Sequence, residues 1–413
     1  KLRTVSGMDS FPTVFHLANA TEEQVNSHWA GLGFYRRARL LHQGAKLVVD
    51  ELQGELPDTV EGLMKISGIG QYTASAIASI AFGTCVPVVD GNVCRVLSRL
   101  RGIANHIKAP ILKDKLGWRL AQQIVQAGDG TCAGEVNQAL MELGATYCAP
   151  SGTGMDDQDP LKTFYISTKL ATSFQTERKR LANDGYDTFP TGILPDTTKC
   201  ALCDPHAFHT VLTEFDQNWV SSKFEISHGP FPLAPPKSSR REEVLAVAVL
   251  SSDDDRWLLV RRPKQGLLAG QWEFPSCIVW SSASGEKTKK KKEKKRKDIE
   301  VPFVETSVRS NALEEFLSEL TIDQNLDVSE RTNLPETIEH IFSHVRHTMW
   351  IEMKSNIQAE TESCWTSRDG RELRWMSSED MRKVGITSEV TKILKAVSNQ
   401  TVTASRKRRK KGK

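Results

Sequence analysis

The chain has 413 residues, enough for two domains of ordinary size, and its 39% hydrophobic and 26% charged residues fit soluble globular domains joined by polar linkers. No apolar run approaches the roughly 20 residues of a membrane span. The eight cysteines, at 85, 94, 132, 148, 200, 203, 277 and 364, lack the dense spacing of a disulfide framework and point to a reducing compartment.

In chain order, Thr21-Glu22-Glu23-Gln24-Val25 reads as a helix N-cap with an acidic first turn. Apolar residues at three- and four-residue spacing predict helices over 36–53, 57–66, 71–82, 91–101, 114–127 and 134–147, punctuated by Gly, Pro and Asp. From about 149 to 240 the pattern weakens into loops and a linker, with a candidate helix near 166–183. Strands follow at 244–250 and 256–260, across an acidic turn. A helix is expected over 308–320, strands over 337–343 and 346–353, and a last helix over 386–398. The expected fold is multi-domain: an all-α domain of short helices, then a compact α+β domain.

Charge is unevenly spread. The net +4 hides nine Lys/Arg within 287–297 and seven within 406–413; taking away those sixteen, and the one Glu among them, leaves 39 basic against 50 acidic residues. Such runs attract phosphate through a screened, sequence-independent field. The tail Arg406-Lys407-Arg408-Arg409-Lys410-Lys411 reads as a nuclear-import patch or a solvated tail, the internal run as an import signal or an inert insert. The first residue is Lys1, so the expectation is a fragment whose upstream targeting segment is out of view.

Gly68-Ile69-Gly70 opens an Ala/Ile/Ser-rich helix, where backbone N–H groups can approach a phosphate. Twenty residues after Gly70, Asp90 follows the apolar run Val86-Pro87-Val88-Val89, where an unpaired charge is costly unless it has a task. A helix N-cap is the plainer use for it. Cys200 and Cys203 in C-x2-C spacing, with His206 and His209 close behind, suit tetrahedral zinc or are simply loop thiols.

With Trp29-Ala30-Gly31-Leu32-Gly33-Phe34-Tyr35-Arg36-Arg37-Ala38-Arg39 and Val89-Asp90-Gly91-Asn92-Val93-Cys94-Arg95-Val96, these residues resemble a MutY-type adenine DNA glycosylase of the helix–hairpin–helix superfamily. The resemblance covers about 11–148 well, the C-terminal domain moderately and the region between poorly. It implies hydrolysis of the N-glycosidic bond of adenine mispaired with 8-oxoguanine or guanine, after the base is flipped from the stack. Asp90 would stabilise the positive charge that builds on the sugar, Asn92 would orient the site, and Tyr72 would hydrogen-bond within it. Tyr72 stands where endonuclease III-like relatives carry a Schiff-base lysine, so strand cleavage is not expected. Phe34 takes the place of a duplex wedge that is usually tyrosine, with Tyr35, Gly68, Gly70 and Gln71 as further DNA contacts.

Two departures from the family pattern stand out. Its general acid, a glutamate, belongs to a helix that would precede residue 11, and residues 1–10 hold only Asp9. Its 4Fe–4S cluster uses four cysteines spaced C-x6-C-x2-C-x5-C; Cys148 matches the first, but Met155, Gln158 and Phe164 take the others, so a cluster is not expected.

In the C-terminal part, 258–263 and Gly266-Leu267-Leu268-Ala269-Gly270-Gln271-Trp272-Glu273-Phe274-Pro275 resemble the family's Nudix-like lesion-reading domain, and Phe342, Ser343 and His344 its loop on 8-oxoguanine. Only Glu314-Glu315 stand near the helix of a Nudix box, without its glycine and arginine–glutamate frame. The expected plan is a glycosylase domain over 1–165 with its N-terminal part missing, a connector over 166–240, a lesion-reading domain over 241–399 with a basic insert at 284–298, and a basic tail over 400–413. Duplex DNA is the expected partner of a nuclear monomer without membrane contact, with repair or checkpoint proteins at the connector. The rival readings are a catalytically dead DNA-binding module, an endonuclease III-like lyase and a nucleotide hydrolase.

Overall fold

The computed structural model describes residues 10–29, 32, 34–186, 204–221, 223–235, 240–263, 266–282, 301–321, 326–358 and 364–411. The chain divides into two units, Lys1–Gly54 with Ser238–Lys413, and Glu55–Lys237. Among the described residues, the first unit opens with α1 (Val14–Asn19), α2 (Glu22–Trp29) and α3 (Tyr35–Leu52). Thr21 and Gln24 form a reciprocal capping box at α2, each backbone N–H reaching the other's side chain at 2.8 and 3.2 Å. Gly54, at φ +89°, follows α3 because a Cβ there would lie 2.5 Å from the Phe15 ring.

The second unit is helical. It contains α4 (Val60–Leu63), α5 (Gln71–Ala81), α6 (Gly91–Arg101), α7 (Gly117–Val125), α8 (Ala133–Ala145), α9 (Ile166–Asn183) and α10 (Pro205–Val220). The helix expected over 57–66 shrinks to the single turn of α4. The one expected over 114–127 is instead a π-helical stretch, Ile111–Leu116, running into α7; it ends where Gly128 and Asp129 take left-handed backbone. Helix α8 packs on both α5 and α6 through small residues. A Cβ on Gly134 would sit 2.6 Å from the Ser79 carbonyl oxygen, and one on Gly144 would sit 2.6 Å from Asn92 Cβ. Helix α10 rises where the sequence reads as linker. Asp204 caps it, Pro205 suits its first position, and Val211, Leu212 and Phe215 enter the core with Phe174 and Phe231.

In the first unit, the strands are β1 (Arg241–Ser252), β2 (Trp257–Arg261), β3 (Trp272–Glu273), β4 (Ser276–Ser281), β5 (Thr332–Asn333), β6 (Ile338–Ile341), β7 (Val345–Ile357), β8 (Cys364–Thr366) and β9 (Glu372–Met376). The mixed sheet runs β5-β7-β1-β2-β9-β8, with β1 and β7 parallel along their length. Helix α11 (Thr306–Thr321) covers one face; α12 (Ser378–Lys383) and α13 (Ser388–Lys411) follow β9. Because side chains alternate along a strand, Leu245, Val247 and Val249 of β1 pack with Val390 and Ile393 of α13, whereas Ala246, Ala248 and Leu250 pack with Leu313, Leu317 and Leu320 of α11. Burial on both faces explains why β1 reads as a continuous apolar run.

Candidate functional site

Two groups of side chains stand out, one in each unit. In the helical unit, Asp90 is the N-cap of α6: its Oδ1 accepts from Val93 N–H at 2.8 Å and its Oδ2 from Asn92 Nδ2 at 3.2 Å. Both contacts hold the carboxylate at the positive end of the helix. Asn92 Oδ1 in turn accepts from Arg95 Nη2 at 2.8 Å, and the same nitrogen donates to Gly144 O at 2.7 Å. Tyr72, 42% exposed on α5, donates its hydroxyl to Met141 Sδ at 3.5 Å. Met141 and Gly144 lie one turn apart on α8, so that single turn touches both Tyr72 and Asn92.

The start of α5 is chemically unlike that of α6. No side chain caps α5 at its start. Gly68 requires glycine for its backbone, at φ +85°. Gly70 does not, at φ −93°, but a Cβ there would meet no protein atom within 4 Å, which leaves room for a ligand. Gln71 is exposed beside it.

Cys148 is fully buried. Its carbonyl oxygen accepts from Arg95 Nε at 2.7 Å and Arg99 Nη1 at 2.8 Å, and its Sγ lies 3.3 Å from Arg99 Nη1. Burial pushes its thiol up in spite of the neighbouring guanidinium. Arg99 further donates to Ala149 O at 2.9 Å and Phe231 O at 2.8 Å. Beside it, Tyr165 donates to Asp159 Oδ2 at 2.8 Å and meets the His228 ring edge-on at 4.8 Å. Met155, Gln158 and Phe164 are exposed and offer no thiolate, so these residues do not fit a four-cysteine cluster. Of the zinc candidates, Cys200 and Cys203 lie outside the described residues, while His206 and His209 are exposed on α10. Among the described residues no group of three or more His, Cys, Asp or Glu is placed to hold a metal ion.

The sheet-bearing unit contributes a groove of about 1350 Å³. Leu32, Phe34 and Tyr35 line it together with Phe342, Ser343 and His344, residues some 300 positions away in sequence. Phe34 is 75% exposed and adopts left-handed backbone, φ 51°, at the N-cap of α3. An exposed aromatic in a conformation that costs energy signals a task other than packing. The 342–344 turn is tied down by Phe342 N–H to Val345 O at 2.8 Å and Arg241 N–H to His344 O at 3.0 Å, and Ser343 Oγ lies 3.1 Å from His344 Nδ1. Arg36, Arg39 and Arg382 also line the groove, and they supply the positive charge a phosphate backbone needs. Glu314, by contrast, is 4.0 Å from Arg331.

Sequence reasoning missed the residues that hold these groups in place. Asn137 is fully buried and fixes the stretch before Asp90, accepting from Val88 N–H at 3.0 Å and donating to Val86 O at 2.9 Å and Ser79 Oγ at 3.0 Å. Arg95 and Arg99 carried one signal: they recur at i and i+4 among Val93, Cys94, Val96 and Leu97, a face where arginine is out of place unless paired.

Residues 1–122 match the HhH-GPD superfamily base excision DNA repair protein family, and residues 246–396 match the NUDIX domain. An adenine DNA glycosylase of Arabidopsis thaliana is 32% identical over 416 residues, covering 94% of this chain and 54% of the relative. One of Homo sapiens is 40% identical over 281 residues, 66% of this chain and 47% of the relative. The chain thus spans about half the length of these two. One of Schizosaccharomyces pombe is 30% identical over 388 residues, covering 92% of this chain and 72% of the relative. With both halves matched, and Asp90, Asn92 and Phe34 placed as described, the chain belongs to the adenine DNA glycosylase family.

Proposed function

We propose that the protein removes adenine mispaired with 8-oxoguanine or guanine from duplex DNA, by hydrolysis of the N-glycosidic bond. What carries this reading is the Asp90 carboxylate, held on both oxygens at the start of α6. As the bond to the base stretches, positive charge collects on the sugar, and a fixed carboxylate stabilises it without reorganising. The start of α5 would take a backbone phosphate, and Phe34 would fill the gap left in the stack. The Ser343 and His344 side chains, exposed in the groove, offer hydrogen bonds to the edge of the opposite base. We further assign the zinc candidates and protein partners to the stretch around α10, and the place of action to the nucleus, the basic runs being its import signals.

The test is single-turnover excision on duplexes with adenine opposite 8-oxoguanine, using the protein as it occurs in the cell. Asp90→Asn keeps an N-cap but loses the charge, and should slow excision by about 10²–10³-fold. An amide variant as fast as the wild type would remove the basis of the reading. Borohydride trapping of a covalent adduct would instead favour a lyase.

A further inference from the structure

Behind the 342–344 turn lies a buried set of ionisable side chains to which the proposed function gives no part. Strand register sets His347 of β7 between Glu243 of β1 and His340 of β6. His347 Nδ1 is 2.7 Å from Glu389 Oε1 of α13, and its Nε2 is 3.1 Å from Glu243 Oε2. All three are nearly inaccessible, at 4 to 5% exposure. The Phe342 ring stands edge-on to His347, with centroids 5.2 Å apart, and to His340 at 4.5 Å.

Other charged groups enclose the trio. Arg241 Nε meets Glu243 Oε1 at 2.7 Å. Glu273, whose carboxyl is pushed up by burial with a smaller push from Glu389, is paired with Arg262. His340 Nε2 lies 3.2 Å from Ser388 Oγ; burial lowers its pKa, Glu389 opposes that, and Lys392 of α13 adds to it.

The proton count follows from the donor inventory. An ionised carboxylate only accepts, and a neutral imidazole has a single N–H. Two hydrogen bonds from one ring to two carboxylates therefore need one proton more than a neutral ring carries. With that proton the trio is a closed brace; without it, a nitrogen lone pair faces a carboxylate oxygen at about 3 Å in a setting where water cannot relieve the contact.

We propose that His347, bridged to Glu243 and Glu389, is a positioning residue that sets the Phe342 ring and, through it, the Ser343–His344 turn against the base opposite the adenine. This rests on the base-reading role assigned above to the turn. The brace tightens discrimination between 8-oxoguanine and guanine.

The experiment measures affinity of the full chain for duplexes with adenine opposite 8-oxoguanine and opposite guanine, and takes the ratio. His347→Leu should lower that ratio about tenfold. Glu389→Gln supplies its own amide donor, so the ratio should stay high, whereas Glu389→Ala, which removes the partner, should lower it. That pair keeps the idea testable if His347→Leu does not fold. A Glu389→Ala protein with the wild-type ratio overturns the inference. Ser343→Ala separates the two claims: if it lowers the ratio while His347→Leu and Glu389→Ala behave as wild type, the turn reads the base but His347 does not position it. If Ser343→Ala leaves the ratio unchanged, the role of the turn itself is refuted.

Discussion

Replacing Arg99 with methionine tests how the helical unit is held together. Arg99 is 1% exposed and donates to three main-chain carbonyl groups, Cys148 at 2.8 Å, Ala149 at 2.9 Å and Phe231 at 2.8 Å. Hydrogen bonds from a charged donor contribute about 1.5–3 kcal/mol each, so three of them amount to roughly 5–9 kcal/mol. Taking a buried guanidinium away also removes its desolvation cost, on the order of several kcal/mol. Methionine conserves much of the volume, so the expected net destabilisation is about 3–4 kcal/mol, and at ~2–4 °C per kcal/mol for a unit of this size the melting temperature falls by roughly 6–15 °C. Lysine, which reaches fewer of the three carbonyls at once, should fall between. Urea titration gives the magnitude, and amide exchange gives the location: protection should drop around 148–152 and 228–233 before it drops in α8. A loss below about 1 kcal/mol, with exchange unchanged, would show that these contacts are incidental.

Three further expectations follow from the geometry. Phe34→Gly removes a left-handed backbone penalty and should stabilise the protein by about 1 kcal/mol while weakening duplex binding about tenfold; unchanged affinity in a gel-shift titration would deny the wedge role. Gly144→Ala drives a Cβ to 2.6 Å from Asn92 Cβ, so α6 must shift, at about 1–3 kcal/mol in stability and, for a displacement of ~1 Å, about 10²-fold in excision; normal single-turnover rates would argue against Asn92 orienting the site. Burial holds His228 at about 3 against its ordinary 6.5. Between those values only the unfolded chain takes up the proton, so stability is fullest above pH 6.5 and should decline by up to ~1.4 kcal/mol per pH unit below it. Urea midpoints at pH 7.5 and 5 measure that decline, and an equally steep one in His228→Phe would assign it elsewhere.

The parts of the site that were legible before the fold was known are those in which a motif and its consequence lie close in sequence. Gly68, Gly70 and Asp90 sit at helix starts that their own residue types bring about. The apolar run of β1 announced a strand because both of its faces are buried. What could not be read depends on residues far apart: Arg99 and Phe231 are 132 positions from each other, and His347 lies 104 from Glu243 and 42 from Glu389. Neither the histidine nor the glutamates stand out locally, since alternation along β7 hides a polar residue among apolar ones. Helix α10 was read as linker because the segment ahead of it is rich in Pro, Gly and Thr, while its core face consists of only a few large side chains. Strands of two or three residues, such as β3 and β8, carry too little pattern to register at all.

The grouping of α1–α3 with the sheet matters to anyone dividing the gene. A C-terminal piece begun at residue 241 keeps all the strands among the described residues but loses Glu22, which approaches Arg261 at 3.8 Å, and loses Leu32, Phe34 and Tyr35 from one wall of the groove. Lesion preference measured on such a half would report on one jaw of a vice, and a weak signal there would say little about the grip of the intact molecule.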